Sequence, residues 1–213
     1  MTIKTIIFDF GGVITNSPIE GFKLLEEKHG YDKGLITNIN MNNPDDNAWA
    51  KSERGEIDIH TFLEEFEKEA LEIGQKIDAR EILQQLYGSM RENMINKIKL
   101  LSSSKKYKLI CLTNVLKGVD IFTPKERVNA VNQVMTYFDI IYESYKLNMR
   151  KPETRIYQYI LNEINIKPEE TIFLDDLGMN LKPARKLGIN TIKVVNPIAV
   201  SYTHLTLPTI LLV

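Results

Sequence analysis

Apolar residues are concentrated in five short runs along the chain, each rich in β-branched side chains. In several runs they occupy consecutive positions instead of alternating with polar residues, which is typical of parallel strands covered on both faces. We therefore predict five strands of a mainly parallel sheet. They cover Thr5–Phe8, Lys108–Leu112, Phe138–Tyr142, Thr171–Leu174 and Thr191–Val195.

Helical periodicity follows most of these predicted strands. The clearest helix covers Pro152–Ile164, with a proline in its first turn and one apolar stripe. A second covers about Leu181–Leu187 and stops at Gly188, since glycine commonly follows the last turn of a helix. The alternation of strands and helices predicts an α/β fold with a doubly wound parallel sheet.

The alternation is interrupted between residues 15 and 89. This region has helical patterns and no convincing strand: one helix is marked by apolar residues around Phe22. Another is capped by Asp58 and carries an apolar stripe that reaches Ile73. The polar loop Asn40–Asn47 separates the two, so we predict an all-helical insertion.

We therefore divide the chain into a core and a cap. The core comprises residues 1–15 and 89–200, and the cap comprises residues 16–88. We place Trp49 in the hydrophobic core of the cap, with stacking against a substrate as the alternative. Residues 201–213, SYTHLTLPTILLV, do not continue the pattern, because their threonines and proline discourage a packing helix. They resemble sequencing-adapter or vector sequence, with a short edge strand or a disordered tail as the alternative, and we assign them no function.

Composition narrows the functional classes. The chain has 213 residues, with 27 Lys and Arg against 28 Asp and Glu, and a net charge of −1. We therefore expect no nucleic-acid partner and no binding to anionic membranes. Cys111 is the only cysteine, which excludes an intrachain disulfide and suits a reducing compartment. No apolar run approaches the length that spans a bilayer, so we predict a cytoplasmic protein.

Polar residues with chemical potential stand where several of the predicted strands end. Asp9 ends the first strand, Thr113–Asn114 end the second, and Asp175–Asp176 end the fourth. The carboxyl ends of strands in an open parallel sheet form one rim, where ligands bind. The sequence thus predicts that these side chains meet there, together with Lys151, which precedes the Pro152 helix.

The residue types in this set indicate phosphoryl transfer. Three carboxylates on one rim would repel one another unless a cation lay among them, and Mg²⁺ prefers carboxylate and phosphate oxygens. A carboxylate can also act as a nucleophile and form an aspartyl-phosphate. The Thr113 hydroxyl, neighbouring amides and the Lys151 ammonium could hold the phosphoryl oxygens, whose transfer depends mainly on positioning and charge neutralisation.

Four motifs in the same order resemble those of the haloacid dehalogenase superfamily. They are IIFDFGGVIT, LICLTN, MRKPE and IFLDDLGMNLKPARKLGI, and the resemblance extends to about Pro197. The helical insertion stands where members of subfamily I carry a helical C1 cap. Within the superfamily, the chain resembles the N-terminal phosphatase domain of soluble epoxide hydrolases. It resembles the N-terminal domain of an acyl-CoA dehydrogenase family member more closely still, because the first motif of that domain also reads Asp-x-Gly-Gly.

The resemblance implies a catalytic and metal-binding set. It makes Asp9 the nucleophile and a Mg²⁺ ligand, and the backbone carbonyl of Gly11 a second ligand. Asp176 would be the carboxylate ligand of the fourth motif, with Asp175 nearby or acting through water. Asn180 would orient this acidic loop.

The resemblance also implies a phosphate site and a small phosphorylated substrate. Thr113 and Asn114 would bind the phosphate. Lys151 would neutralise both the nucleophile and the phosphoryl group, and thus belongs to the catalytic set as well.

Gly11 departs from the family's pattern. In its phosphatases a second aspartate usually stands two residues after the nucleophile, where it protonates the leaving group and then activates water. Glycine cannot transfer a proton, and general acid–base catalysis is typically worth ~10² to 10⁴ in rate. We therefore expect weaker activity that favours aryl and acyl phosphates over alkyl esters. Water, or a cap residue such as His60 or Glu56, could replace the missing acid.

Three hypotheses follow from the sequence. The favoured one is a Mg²⁺-dependent phosphatase that acts on a small phosphorylated metabolite through an aspartyl-phosphate. The second is a non-catalytic module that binds a phosphorylated ligand or a protein. The third is a 2-haloacid dehalogenase, which also uses an aspartate nucleophile but needs no metal; the acidic pair and Gly11 both argue against it.

Overall fold

The computed structural model describes residues 2–86 and 88–195. Its strands are β1 (Thr5–Phe8), β2 (Lys108–Thr113), β3 (Ile140–Glu143), β4 (Thr171–Asp175) and β5 (Asn190–Lys193). They form one sheet in the order β3-β2-β1-β4-β5, and each neighbouring pair is parallel. This confirms the predicted α/β fold class.

The described residues contain ten α-helices. They are α1 (Pro18–His29), α2 (Leu35–Met41), α3 (Ala48–Glu53), α4 (Ile59–Glu72), α5 (Ala79–Gln84), α6 (Glu92–Ser104), α7 (Lys125–Met135), α8 (Ser144–Leu147), α9 (Thr154–Glu163) and α10 (Gly178–Lys186). Two short 3-10 turns cover Val119–Phe122 and Pro168–Glu170.

Helices cover both faces of the sheet. Ile6 and Phe8 of β1 pack into a hydrophobic cluster with α6 and α7. Ile7, which points to the opposite face, belongs to a cluster with α9 and α10. Because β1 is central and covered on both sides, all four of its residues are buried, and this explains why three of them, Ile6, Ile7 and Phe8, are consecutive apolar residues.

Helices α1 to α5 form a helical insertion between β1 and β2, and their hydrophobic cluster also includes Leu116 and Val119, which follow β2. Two adjacent segments connect this insertion to the sheet. Thr15 forms a bridge with Met90, and the Asn16 amide donates to the Ser89 carbonyl at 2.9 Å. Trp49 lies against the Phe22, Phe62 and Phe66 rings, at centroid distances of 6.0, 5.6 and 5.7 Å.

The insertion contains more helices than the sequence pattern predicted. Residues 40 and 41 belong to α2, and α3 follows directly after Asn47, so the predicted polar loop is shorter. These two helices have seven and six residues, too few to display a clear apolar period. Asp58 caps α4 as predicted, accepting from the Thr61 amide. Ile73, however, follows the end of α4 and is 45% exposed.

Several predicted boundaries in the core were wrong. The first turn of α9 begins at Thr154, and Pro152 lies before it, because Glu153 has a non-helical backbone conformation and is the N-cap residue. The start of α10 is Gly178, three residues before the predicted Leu181. β3 begins two residues later than predicted: Phe138 precedes the strand, and it is apolar because its ring packs edge-on against Phe8 at 5.8 Å.

β5 ends at Lys193 rather than Val195. None of the described helices has the length and apolar character needed to cross a membrane. The prediction for residues 201–213 lies outside the described residues.

Candidate active site

Asp9 follows the central strand β1 and lies at the carboxyl edge of the sheet. Phe8 pairs with Cys111 of β2 and with Leu174 of β4. One residue further, the Asp9 amide donates to the Leu174 carbonyl at 2.8 Å. The parallel register therefore places Asp9 beside the last residues of both neighbouring strands.

The three aspartates identified from the sequence lie together. Each of Asp9, Asp175 and Asp176 has a carboxylate oxygen within 4.8 Å of the others. Asp9 and Asp175 are buried, whereas Asp176 is half-buried. The arrangement offers clustered oxygen donors of the kind that hard divalent cations bind.

Lys151 is buried against this cluster, with 1% of its side chain exposed. Its Nζ lies 2.6 Å from Asp9 Oδ1 and 3.0 Å from Asp175 Oδ2, and it donates to the Leu112 carbonyl at 3.0 Å. An ammonium has three N–H donors, and these three acceptors match them. Lys151 is therefore fixed beside Asp9 with all its donors engaged.

Asp175 is held by hydrogen bonds on both carboxylate oxygens. Asn180 Nδ2 donates to Oδ1 at 3.1 Å and to Oδ2 at 3.0 Å, and the Leu177 amide donates to Oδ1 at 2.8 Å. With the Lys151 contact included, Asp175 has little acceptor capacity left for a cation. Asp176 is the more available carboxylate of this pair.

The two glycines after Asp9 differ in the space around them. A Cβ on Gly12 would lie 2.0 Å from Asp176 Oδ2, and Gly12 has a φ of +76°. Asp176 can therefore lie against this loop only if residue 12 is glycine. A Cβ on Gly11 would meet only Pro18 Cδ at 3.7 Å and Cγ at 3.8 Å, which is an ordinary contact. The importance of Gly12 was missed from the sequence, although the Gly-Gly pair was a signal.

Thr113 and Asn114 stand at the end of β2 but differ in their bonding. The Thr113 hydroxyl donates only a long bond, 3.4 Å, to the Asn114 carbonyl. The Asn114 side chain accepts from the Lys151 amide at 2.9 Å and donates to the Lys151 carbonyl at 2.9 Å. Asn114 also donates to Glu53 Oε2 at 3.0 Å, so its amide holds the Lys151 loop and the helical insertion together.

A cavity of about 360 Å³ lies between the sheet edge and the helical insertion. Six of the polar residues described above line it, and the rest of the lining is largely apolar. The six are Asp9, Thr113, Asn114, Lys151, Asp176 and Asn180. Apolar lining residues include Ile19, Phe22, Met41, Trp49, Leu86, Val115, Leu116 and Val119. Enclosed, mostly apolar cavities with a few convergent polar groups are typical of small-molecule sites.

Residues that the sequence did not single out also line this cavity. Glu53 and Arg150 do so; Arg150 stands directly before Lys151 in MRKPE, and this position was its only signal. By contrast, the two suggested replacements for the missing acid, His60 and Glu56, are not among the described residues that line the cavity. Both are exposed, and Glu56 is paired with Arg54 at 2.6 Å.

Burial and neighbouring charges shift the pKa values of the clustered side chains. Burial raises the pKa of Asp9 to about 8; the Lys151 ammonium opposes this shift, and the Asp175 and Asp176 carboxylates add to it. Burial, followed by the charge of Asp175, also raises the pKa of Asp176. Burial works against the charge of Lys151, but Asp175 and Asp9 hold its pKa above the ordinary value. A divalent cation among these carboxylates would favour their charged forms.

The family model described as haloacid dehalogenase-like hydrolase matches residues 3–188. This match covers most of the chain and includes all the clustered site residues: Asp9, Thr113, Asn114, Lys151, Asp175 and Asp176. The chain belongs to the haloacid dehalogenase-like hydrolases. The resemblance read from the four motifs is thereby confirmed.

Some relatives of this haloacid dehalogenase-like hydrolase are much longer proteins, of which it matches only a part, and others have a similar length. It is 32% identical to mouse acyl-CoA dehydrogenase family member 10 over 91% of the chain, but spans only 18% of that protein. It is 26% identical to pig bifunctional epoxide hydrolase 2 over 91% of the chain and 37% of that protein. It is also 26% identical to the D-ribitol-5-phosphate phosphatase of Bacteroides thetaiotaomicron, over 91% and 93% of the two chains.

Solved structures of the family share the fold. A haloacid dehalogenase family enzyme from Bacteroides thetaiotaomicron, in complex with magnesium and inorganic phosphate, has a TM-score of 0.60. The two are 24% identical, and the match covers 90% of this hydrolase and 93% of that chain. The parallel sheet and its helices thus follow the architecture of known members.

Proposed function

We propose that the chain is a Mg²⁺-dependent phosphatase that acts on a small phosphorylated metabolite through an aspartyl-phosphate on Asp9. The observation that carries this proposal is the position of Asp9, which lies at the polar end of the cavity between Lys151 and Asp176. The named phosphatase among its relatives supports the same reaction class.

The carboxylate of Asp9 is oriented for attack. Its Oδ1 accepts from the Phe10 amide at 2.6 Å and lies 2.6 Å from Lys151 Nζ. These contacts fix the carboxylate plane and leave Oδ2 to attack the phosphorus atom of a substrate in the cavity. Lys151 also compensates the charge of the nucleophile, so that an anionic phosphoryl group can approach it.

The donor set suits Mg²⁺. Asp9, Asp176 and the backbone carbonyl of Gly11 would hold the ion, while Asp175, whose oxygens are engaged by Asn180, Leu177 and Lys151, would support Asp176 from behind. When bound, Mg²⁺ would neutralise negative charge on the carboxylates and on the phosphoryl oxygens.

The reaction would proceed in two steps. Asp9 Oδ2 forms a bond to phosphorus as the bond to the substrate oxygen breaks, and the organic group leaves with the electron pair. Water then attacks the phosphorus of the aspartyl-phosphate, which releases inorganic phosphate and restores the Asp9 carboxylate. The Thr113 hydroxyl and neighbouring backbone amides would hold the phosphoryl oxygens in both steps.

Gly11 limits both proton transfers. An alkyl alkoxide needs a proton as it leaves, and the attacking water must lose one, but no side chain stands at position 11. Aryl and acyl phosphates have leaving groups that depart without protonation, so the first step is impaired least for them. We therefore propose that the second step limits turnover of such substrates.

The lining of the cavity bears on the substrate class. Relatives include a D-ribitol-5-phosphate phosphatase and, at 27% identity, a sesquiterpene phosphatase from Aspergillus oryzae. Trp49, Phe22 and Leu116 offer few partners for the hydroxyl groups of a polyol, and favour a substrate with an apolar organic part. We also propose that residues 16–88 act as a cap that encloses this substrate over the core of residues 1–15 and 89–200.

A phosphate-release panel tests the proposal. It should include alkyl, aryl and acyl phosphates. The alkyl phosphates should include polyols and apolar chains of matched length. Each substrate is assayed with Mg²⁺ and with a chelator. We expect Mg²⁺-dependent turnover that the Asp9→Asn variant lacks. Phosphate binding without turnover above that variant would favour the binding-module alternative, and chloride release from 2-chloropropionate without metal would favour a dehalogenase.

A further inference from the structure

Glu53 is a buried carboxylate that the proposed reaction does not use. It is the last residue of α3 in the helical insertion, and its side chain is 9% exposed. A buried charge is costly unless it is paired and hydrogen-bonded. Its contacts therefore indicate what this carboxylate holds in place.

All the close partners of the Glu53 carboxylate are donors. Trp49 Nε1 donates to Oε1 at 3.0 Å, and Asn114 Nδ2 donates to Oε2 at 3.0 Å. Arg150 Nε lies 2.6 Å from Oε2, as an ion pair rather than an aligned hydrogen bond. Trp49 belongs to the insertion, whereas Asn114 and Arg150 belong to the core, so Glu53 joins the two units across the cavity.

Both core partners of Glu53 flank Lys151. Arg150 precedes it in the chain, and Asn114 is hydrogen-bonded to both the amide and the carbonyl of Lys151. Since Glu53 and the Lys151 carbonyl can only accept, Asn114 must direct its NH₂ group to them and its oxygen to the Lys151 amide. A chain of contacts thus runs from Glu53 through Asn114 and Lys151 to Asp9 Oδ1.

Other contacts hold the end of α3 against the core independently of Glu53. Asn148 Nδ2 donates to the Arg54 carbonyl at 3.0 Å, and Arg54 Nη1 lies 3.5 Å from Glu153 Oε1. At Gly55, where φ is +71°, a Cβ would lie 2.7 Å from the Tyr145 carbonyl oxygen. Removing the charge of Glu53 should therefore leave the insertion docked.

We propose that Glu53 is a positioning residue, contributed by the insertion, that orients Asn114 and the Lys151 loop and neutralises Arg150 beside the phosphate site. The inference rests on the proposed function, because it assigns Glu53 to that site. It also makes the closed position of the insertion a requirement for the correct geometry of Lys151 and Asp9. Removing the charge of Glu53 would then tighten the binding of anionic substrates and lower kcat.

The Glu53→Gln variant separates a positioning role from a purely structural one. It keeps the shape of the side chain but leaves the Arg150 charge uncompensated, so anionic substrates should bind more tightly while the loop is less well oriented. We expect kcat to fall about 10-fold or more and KM to fall about threefold. Adding Arg150→Gln should return KM to at least the wild-type value. The matched control is Glu64→Gln, an exposed glutamate of the same insertion, which should change neither constant.

A wild-type kcat in Glu53→Gln, or a KM that rises, would overturn the inference. Calorimetric titration with inorganic phosphate in the presence of Mg²⁺ provides a second readout that needs no turnover. Tighter phosphate binding by Glu53→Gln than by Glu64→Gln supports the inference, and equal or weaker binding contradicts it. If the wild-type protein shows no turnover on the panel, the proposed phosphatase function fails, but this binding comparison still decides the role of Glu53.

Discussion

At the scale of single residues, the loop after β1 contains two glycines with opposite properties. Gly12 is required by its backbone conformation and by the approach of Asp176, whereas Gly11 has room for a Cβ atom. The sequence could show that an acid was missing at position 11. It could not show which glycine was sterically replaceable, because that depends on residues far away in the chain.

Replacement of Gly11 by aspartate should increase activity. The new Cβ makes only ordinary contacts with Pro18, and the carboxyl group would supply a proton donor, so we expect kcat for an alkyl phosphate to rise by up to ~10² to 10⁴-fold, and by less for an aryl phosphate. The isosteric Gly11→Asn variant cannot transfer a proton and is the control. If Gly11→Asp and Gly11→Asn were equally active on both substrates, the missing acid would not be what limits the rate.

Replacement of Gly12 by alanine should destabilise the fold. The new Cβ would overlap Asp176 Oδ2 in a backbone conformation that disfavours it, and we expect a loss of at least about 1 to 3 kcal/mol in the free energy of unfolding. Urea denaturation measures this loss. Gly11→Ala, with ordinary contacts, should stay close to wild type, and similar losses in the two variants would contradict the described loop.

The raised pKa of Asp9 predicts a pH-dependent response to Mg²⁺. Its pKa in the fold, about 8, lies above the ordinary value of 3.8, so the ionised form becomes available to a cation only as pH rises towards and past 8. When no cation is bound, we expect the free energy of unfolding to fall as the pH rises from about 4 to about 8, because the fold retains a proton on Asp9 that the unfolded chain releases. We expect the rise in Tm caused by Mg²⁺ to be larger at pH 8.5 than at pH 6.5. In Asp9→Asn this difference should largely disappear; an unchanged difference would exclude Asp9 as its source.

At the scale of elements, apolar runs predicted the strands well because the central strands are buried on both faces. Helix boundaries were less accurate where tertiary contacts decide them. Asn114 binds both the amide and the carbonyl of Lys151 and so holds that residue outside α9, although Pro152 favoured an earlier start. The short helices α2 and α3 carry too few turns for periodicity to reveal them.

The short helix α3 depends on its N-cap residue. Asn47 is buried; its Oδ1 accepts from the Ala50 amide at 2.8 Å, and its Nδ2 donates to the carbonyls of Asn40 and Asn42. We expect Asn47→Ala to lower the free energy of unfolding by about 1 to 3 kcal/mol, through the lost cap and the unpaired carbonyls. Because α3 carries Trp49 and Glu53, kcat should fall as well. Asn96→Ala, on the exposed face of α6, is the control; a loss no larger than in this control would contradict the role of Asn47.

At the scale of the whole molecule, the candidate site is shared between two units. The strand ends supply the aspartates, and the loop before α9 supplies Lys151. The meeting of the aspartates could be predicted because parallel strands end at one edge. The insertion supplies Glu53, which contacts Asn114 across 61 residues of sequence. No local sequence pattern predicts such a contact, because it depends on how the insertion packs on the sheet.

The role of Asp9, at the polar end of the cavity between these two units, can be tested directly. If Asp9 is the nucleophile and no acid or base stands at position 11, the second step should be slow for a substrate such as acetyl phosphate, and the phosphorylated protein should accumulate. The most direct measurement is mass spectrometry of the protein quenched during turnover with acetyl phosphate and Mg²⁺. We predict a phosphoryl group on the peptide that contains Asp9, and none on that peptide in Asp9→Asn. Steady phosphate release with no phosphoryl group on that peptide, or release by Asp9→Asn at the wild-type rate, would exclude Asp9 as the nucleophile.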